Sequence, residues 1–164
     1  MTPPTLATAG GTAGDDSEAS DGPRWKVLIV DDNRDSAELL AVLLEHDGHE
    51  TRLAHDGLEA LERAAPFAPE IVLLDIGLPK LNGYETCRRL RALQADAVVT
   101  VVALSGWGQA EDRRRSHDAR FDAHLVKPVE YQALKALLVK LRAQRLVVPR
   151  VDLVQHLGQP LVIA

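Results

Sequence analysis

From Trp25 onward, short apolar runs alternate with longer segments in which apolar positions recur every three or four residues. The runs are Lys26 to Val30, Glu50 to Ala54, Ile71 to Leu74, Val98 to Leu104 and Ala123 to Val126. Five strands separated by amphipathic helices are the signature of βα units joined in a parallel sheet. Val27 to Val30 and Ile71 to Leu74 are apolar at every position, as expected when helices cover both faces, so these two strands should be central. Ala37, Leu40, Ala41 and Leu44 stand at i, i+3, i+4 and i+7, as do Leu134, Leu137, Leu138 and Leu141, giving each helix one apolar stripe. Asp47-Gly48 supplies a stop for the first helix. Leu58, Leu61 and Ala65 predict a shorter second helix ending near Pro66, and a third is expected from about Tyr84 to Leu93. Between Gln109 and Ala119, the residues Glu111, Asp112, Arg113, Arg114, Arg115 and Asp118 leave little apolar surface, so the helix expected there is weakly packed. A solvated face accounts for it as well as a regulatory role does.

The flanks break this rhythm. Residues 1–23 are rich in Gly, Ala, Thr, Ser, Pro and Asp and cannot offset the entropy of ordering, so they read as a flexible tail. Residues 24–146 form the expected folded domain. The extension 147–164 carries Pro149 and Pro160 but also Val151, Leu153, Val154, Leu157, Leu161, Val162 and Ile163, too apolar for a typical linker. Packing on the domain, a partner contact and loose order all remain open for it.

Composition narrows the class of function. The chain has 164 residues, enough for one domain plus tails, and at 46% hydrophobic and 26% charged it should bury a core. The formal net charge of -5 argues against bulk nucleic-acid binding and towards proteins or small ions as partners. Cys87 is the single cysteine, which excludes an internal disulfide and makes a reducing cytoplasm the simplest setting. The start of the chain, with Gly10, Gly11, Gly14, Asp15, Asp16 and Glu18, lacks the basic and apolar parts of a signal peptide. No apolar run approaches the ~20 residues that span a bilayer, so a cytoplasmic protein without membrane contact is expected.

Four of the five strands end in polar residues: Asp31-Asp32 after the first, Asp75 after the third, Ser105 after the fourth and Lys127 after the fifth. In an open parallel sheet such ends converge on one crevice, where ligands bind. The second strand adds nothing on this reading. Three carboxylates brought together repel one another unless a cation is present. Hard oxygen ligands with room for water and a phosphate suit Mg2+. Helix capping by Asp31 and Asp32 would explain one of the two but not their pairing with Asp75. With charge neutralised, the Asp75 carboxylate can attack a phosphoryl group, while Lys127 and the Ser105 hydroxyl hold its oxygens.

The stretches Val30-Asp31-Asp32-Asn33, Leu74-Asp75-Ile76-Gly77-Leu78-Pro79, Leu104-Ser105-Gly106 and Val126-Lys127-Pro128, in that order, resemble the receiver domains of two-component response regulators over about residues 25–145. The resemblance implies a doubly wound, flavodoxin-like α/β sheet of order 2-1-3-4-5. It implies phosphorylation of Asp75 by a sensor histidine kinase or phosphotransfer protein, and Mg2+ held by Asp31, Asp32, Asp75 and the Gly77 carbonyl. Lys127 and Ser105 would contact the phosphoryl group, and a cis bond would precede Pro128. Ser105 and the aromatic position of the last strand, here His124 instead of Tyr or Phe, would form the switch that alters the surface of the helix from Gln109, the last strand and the last helix. Gly77 and Trp107 would tune the lifetime of the phosphate. No enzyme activity is implied beyond self-phosphorylation from a phosphodonor and autodephosphorylation. With no effector after Leu146, a stand-alone regulator acting on a protein target, without direct DNA contact, is expected; phosphorylation-dependent homodimerisation is compatible with it. Two other readings compete. A receiver-like docking module would not turn over phosphate, and an aspartate-nucleophile phosphohydrolase of the haloacid-dehalogenase type would want two aspartates separated by one residue and room for a cap.

Overall fold

The computed structural model of the chain describes residues 24–94, 98–106 and 119–147. Among them the elements run β1 (Lys26–Val30), α1 (Arg34–His46), β2 (Glu50–Ala54), α2 (Gly57–Phe67), β3 (Ile71–Asp75), α3 (Gly83–Leu93), β4 (Thr100–Ser105), β5 (Ala123–Val126) and α4 (Tyr131–Val147). The strands pair in parallel in the order β2-β1-β3-β4-β5. This is the expected doubly wound, flavodoxin-like sheet, with β1 and β3 inside it. Chain order reverses between β1 and β3, which opens a crevice at the carboxyl ends of these strands.

Alternation of side chains along the strands explains why the central runs are apolar throughout. Val27, Ile29, Ile71, Leu73, Val102 and Leu104 pack on one face against Ala37, Leu40, Ala41 and Leu44 of α1 and Leu134, Leu138 and Leu141 of α4. Leu28, Val30, Val72, Leu74 and Val101 pack on the other against Ala60, Ala64 and Phe67 of α2 and Cys87 and Leu90 of α3. Each fully buried Leu or Val is worth ~1.5–3 kcal/mol, so these two layers carry the stability of the unit.

Two strand boundaries and the buried face of α2 differ from those read in the sequence. β3 runs on through Asp75, and β4 begins at Thr100, leaving Val98 outside the strand and 56% exposed. On α2 the buried face is Gly57, Ala60, Ala64 and Phe67, while Leu58 is exposed and Leu61 only partly buried. The reason is close packing: a Cβ on Gly57 would lie 2.3 Å from Thr86 Oγ1 of α3. Small side chains therefore face α3, and the larger Leu58 stays outside. Pro66 sits in the last turn of α2, which closes one residue later with Ala68 in the left-handed region at φ 50°. On α4 the stripe is as expected, except that Leu137 is half-buried.

α4 is tied to the far end of α1. The Tyr131 hydroxyl lies 2.6 Å from Asp47 Oδ2 and 2.8 Å from the Leu43 carbonyl oxygen, and Lys135 Nζ lies 3.3 Å from Asp47 Oδ2. The Tyr131 hydrogen bond, helped by Lys135 and opposed by burial, holds the Asp47 carboxyl below its usual range. Because the folded pKa is the lower one, this contribution is present above the unfolded value, about 4, and is lost as pH falls through the folded value. Tyr131→Phe should therefore cost roughly 1–2 kcal/mol at pH 7. Urea midpoints at pH 7 and pH 3 would show the gap to wild type shrinking at the lower pH.

Candidate functional site

The register of the sheet sets Val30 beside Leu74 and Asp75 beside Leu104, so the polar residues at these strand ends face one crevice. Asp31, Asp75 and Ser105 are buried, while Asp32 is exposed. Asp31, Asp32 and Asp75 each offer a carboxylate oxygen, and the three oxygens lie within 4.8 Å of one another. Asp31 Oδ1 accepts from the Asn33 amide at 2.9 Å, and Asp75 Oδ1 accepts from the Gly77 amide at 2.9 Å. The remaining oxygens face one cation: Lys127 Nζ is 2.8 Å from Asp31 Oδ2 and 2.9 Å from Asp75 Oδ2. Burial pushes the Lys127 ammonium towards losing its proton, but its bonds to Asp31 and Asp75 and their charge prevail and hold its pKa above the ordinary lysine value.

Capping does not account for the aspartate pair. Asn33 is the N-cap of α1, its side chain accepting from Ser36 N at 3.2 Å, so neither Asp31 nor Asp32 fills that role. The donor set fits a hard divalent cation. Its atoms are carboxylate oxygens, and among the described residues Asp31 Oδ2, in a side chain 1% exposed, has the charge contact with Lys127 and no further hydrogen bond. Gly77 turns its N–H to Asp75 Oδ1.

Ser105 closes β4, and its Oγ lies 2.6 Å from Nε2 of His124 on β5. The two expected switch residues are thus in direct contact. The Ser105 carbonyl also accepts from the Lys127 amide at 2.7 Å, and the Lys127–Pro128 peptide is cis. Trp107 and nearly all of the Gln109 to Ala119 segment lie outside the described residues, as do 1–23 and 148–164. Ala119 is described and buried, its carbonyl 3.2 Å from Cys87 Sγ. Burial raises the Cys87 thiol to about 11, so it is not a thiolate at neutral pH.

Two contributions escaped sequence reasoning. β2 does reach the site: His55, the residue after it, places Nδ1 3.1 Å from the Asp31 carbonyl oxygen. The signal was its place just past a strand, the same place Asp31 holds after β1. Gly83, first residue of α3, lies against the Asp75–Ile76 backbone; a Cβ there would be 2.5 Å from the Asp75 carbonyl oxygen and 2.6 Å from Ile76 Cα. The Asn82-Gly83 pair carried only a turn signal.

Residues 27–139 match the family model of the response regulator receiver domain. The chain belongs to that family. Receiver domains are signalling modules, and among curated relatives the chain is 38% identical over 118 residues to the response regulator MprA of Mycobacterium ulcerans, covering 72% of this chain and 49% of that one. It is 32% identical over 111 residues to the DNA-binding dual master transcriptional regulator RpaA of a Synechocystis strain, covering 68% and 46%. The chain thus spans about half the length of the curated relatives it matches. The expectation of no DNA contact gains no support from them. Among solved structures, a chain of the co-crystal of the Saccharomyces cerevisiae histidine phosphotransfer protein Ypd1 with the receiver domain of its downstream response regulator Ssk1 superposes with a TM-score of 0.71 at 25% identity, covering 79% of this chain and 96% of that one. No helix among the described residues is long and apolar enough to cross a membrane.

Proposed function

We propose that this receiver domain accepts a phosphoryl group on Asp75 from a phosphohistidine of a sensor histidine kinase or phosphotransfer protein and thereby changes its protein contacts in the cytoplasm. The observation that carries the reading is the meeting of Asp31, Asp32 and Asp75 at the mouth of a parallel sheet, with Lys127 on Asp31 and Asp75. In the transfer, an Asp75 carboxylate oxygen forms the new O–P bond as the N–P bond breaks, and the imidazole nitrogen leaves with the electron pair. Asp31, Asp32, Asp75 and the Gly77 carbonyl would hold Mg2+, which when bound supplies charge neutralisation for the phosphoryl oxygens. Lys127 is already in reach of Asp75 and passes from its carboxylate to the phosphoryl oxygens. The Ser105 hydroxyl would exchange its bond with His124 for one to a phosphoryl oxygen, freeing the imidazole. That exchange is the switch in this reading, and its outputs are a protein target and homodimerisation. Gly77 and Trp107 would line the approach of the hydrolytic water. The Ypd1 co-crystal relative supports a histidine phosphotransfer partner.

Beryllium fluoride, which mimics an acyl phosphate, gives the test. With Mg2+ present, calorimetry should show it saturating the wild type and not Asp75→Asn. Heat that is identical for both chains, or absent from both, would contradict the assignment.

A further inference from the structure

We propose that His55 is a positioning residue for the acidic pair: its ring holds the Asp31–Asp32 peptide in the orientation that cation binding needs. This rests on the reading of the site as a Mg2+-dependent phospho-acceptor. A carbonyl oxygen can only accept, so His55 Nδ1, 3.1 Å from the Asp31 carbonyl oxygen, carries the proton and donates it. The backbone that carries the ring is itself anchored, because the His55 main-chain amide donates to Glu59 Oε2 at 2.8 Å and Glu59 lies in the first turn of α2.

Asp31 is thereby fixed on every side but one. Its amide donates to the Ala54 carbonyl at 3.0 Å, its carbonyl is taken by His55, and its Oδ1 accepts from Asn33. Oδ2 faces Lys127 Nζ at 2.8 Å and has no further hydrogen bond among the described residues. The carbonyl of Asp31 belongs to the peptide plane that leads into Asp32, the exposed member of the three-carboxylate group. Holding that plane sets the direction in which the Asp32 side chain departs. The end of β2 thus acts as a template for both aspartates through the His55 ring.

Loss of a group that orients metal ligands in this way typically lowers metal affinity by roughly ten- to a hundredfold. Calorimetric titration of Mg2+ into the full chain, with thermal melts of each variant, tests the role. His55→Ala should bind Mg2+ roughly tenfold more weakly than wild type. His55→Asn, whose side-chain N–H falls where Nδ1–H stood, should recover most of the loss. A His55→Ala chain that does not fold is replaced by His55→Leu, read the same way. Wild-type affinity in the donor-less variant, or an Asn variant as weak as it, would overturn the inference while leaving the phospho-acceptor reading intact. A wild type that takes up no Mg2+ would overturn that reading and this inference with it.

Discussion

Gly83→Ala is expected to destabilise the domain by roughly 1–3 kcal/mol, through overpacking against atoms that cannot swing aside. The added methyl would meet the Asp75 carbonyl oxygen at 2.5 Å, Ile76 Cα at 2.6 Å and the Asp75 carbonyl carbon at 3.1 Å, all backbone. The gain in helix propensity from Gly to Ala is at most about 1 kcal/mol in a helix interior and less at a first position, so the clash prevails. Relief requires α3 to retreat or the Asp75–Ile76 peptide to shift, and either disturbs the bond from Gly77 N to Asp75 Oδ1. Urea unfolding should show the lowered midpoint, and phosphoryl uptake should fall with it. Gly106→Ala is the matched control: among the described residues nothing lies within 4 Å of its added Cβ, and its midpoint should not move.

Lys127→Ala should remove most phosphoryl uptake and, without Mg2+, cost roughly 1–3 kcal/mol of stability, less than a fully buried pair would because the lysine side chain is 26% exposed. The loss comes from leaving Asp31 Oδ2 and Asp75 Oδ2 in one crevice without their shared cation. Added Mg2+ should narrow the gap between variant and wild type. So should strong alkali. The folded pKa of Lys127 lies above the ordinary value of 10.5, so its stabilisation is complete below that value and fades as pH rises through the folded one. Denaturant midpoints measured from pH 7 into strong alkali, past the point where the wild-type lysine loses its proton, with and without Mg2+, would test both trends. A constant gap would mean that the lysine acts through packing alone.

The strands and the site's acidic core were legible in the sequence for the same physical reason. A run such as Val27 to Val30 is apolar throughout only if covered on both faces, and polar residues that directly follow such runs must gather at one sheet edge. Asp31, Asp32, Asp75 and Lys127 were found this way. The buried face of α2 was not, because Leu58-Leu61-Ala65 and Gly57-Ala60-Ala64 are both helical stripes, and the choice between them is made by the approach of Thr86 from α3. Hydrophobicity favours the first stripe; close packing requires the second. His55 and Gly83 were hidden because they act on backbone atoms of Asp31 and Asp75, and no side-chain pattern encodes such contacts. Ser105 and His124 were each singled out, but the 2.6 Å contact between them depends on the β4–β5 register.

The central claim is the covalent chemistry of Asp75, and mass spectrometry reads it directly. Wild type and Asp75→Asn would be incubated with acetyl phosphate, with and without Mg2+, then weighed intact and mapped by peptide. The account predicts a single phosphoryl adduct on the wild type only, dependent on Mg2+, labile to hydroxylamine and located on Asp75. An adduct on another residue, or none in the wild type under conditions where beryllium fluoride also fails to bind, would contradict it.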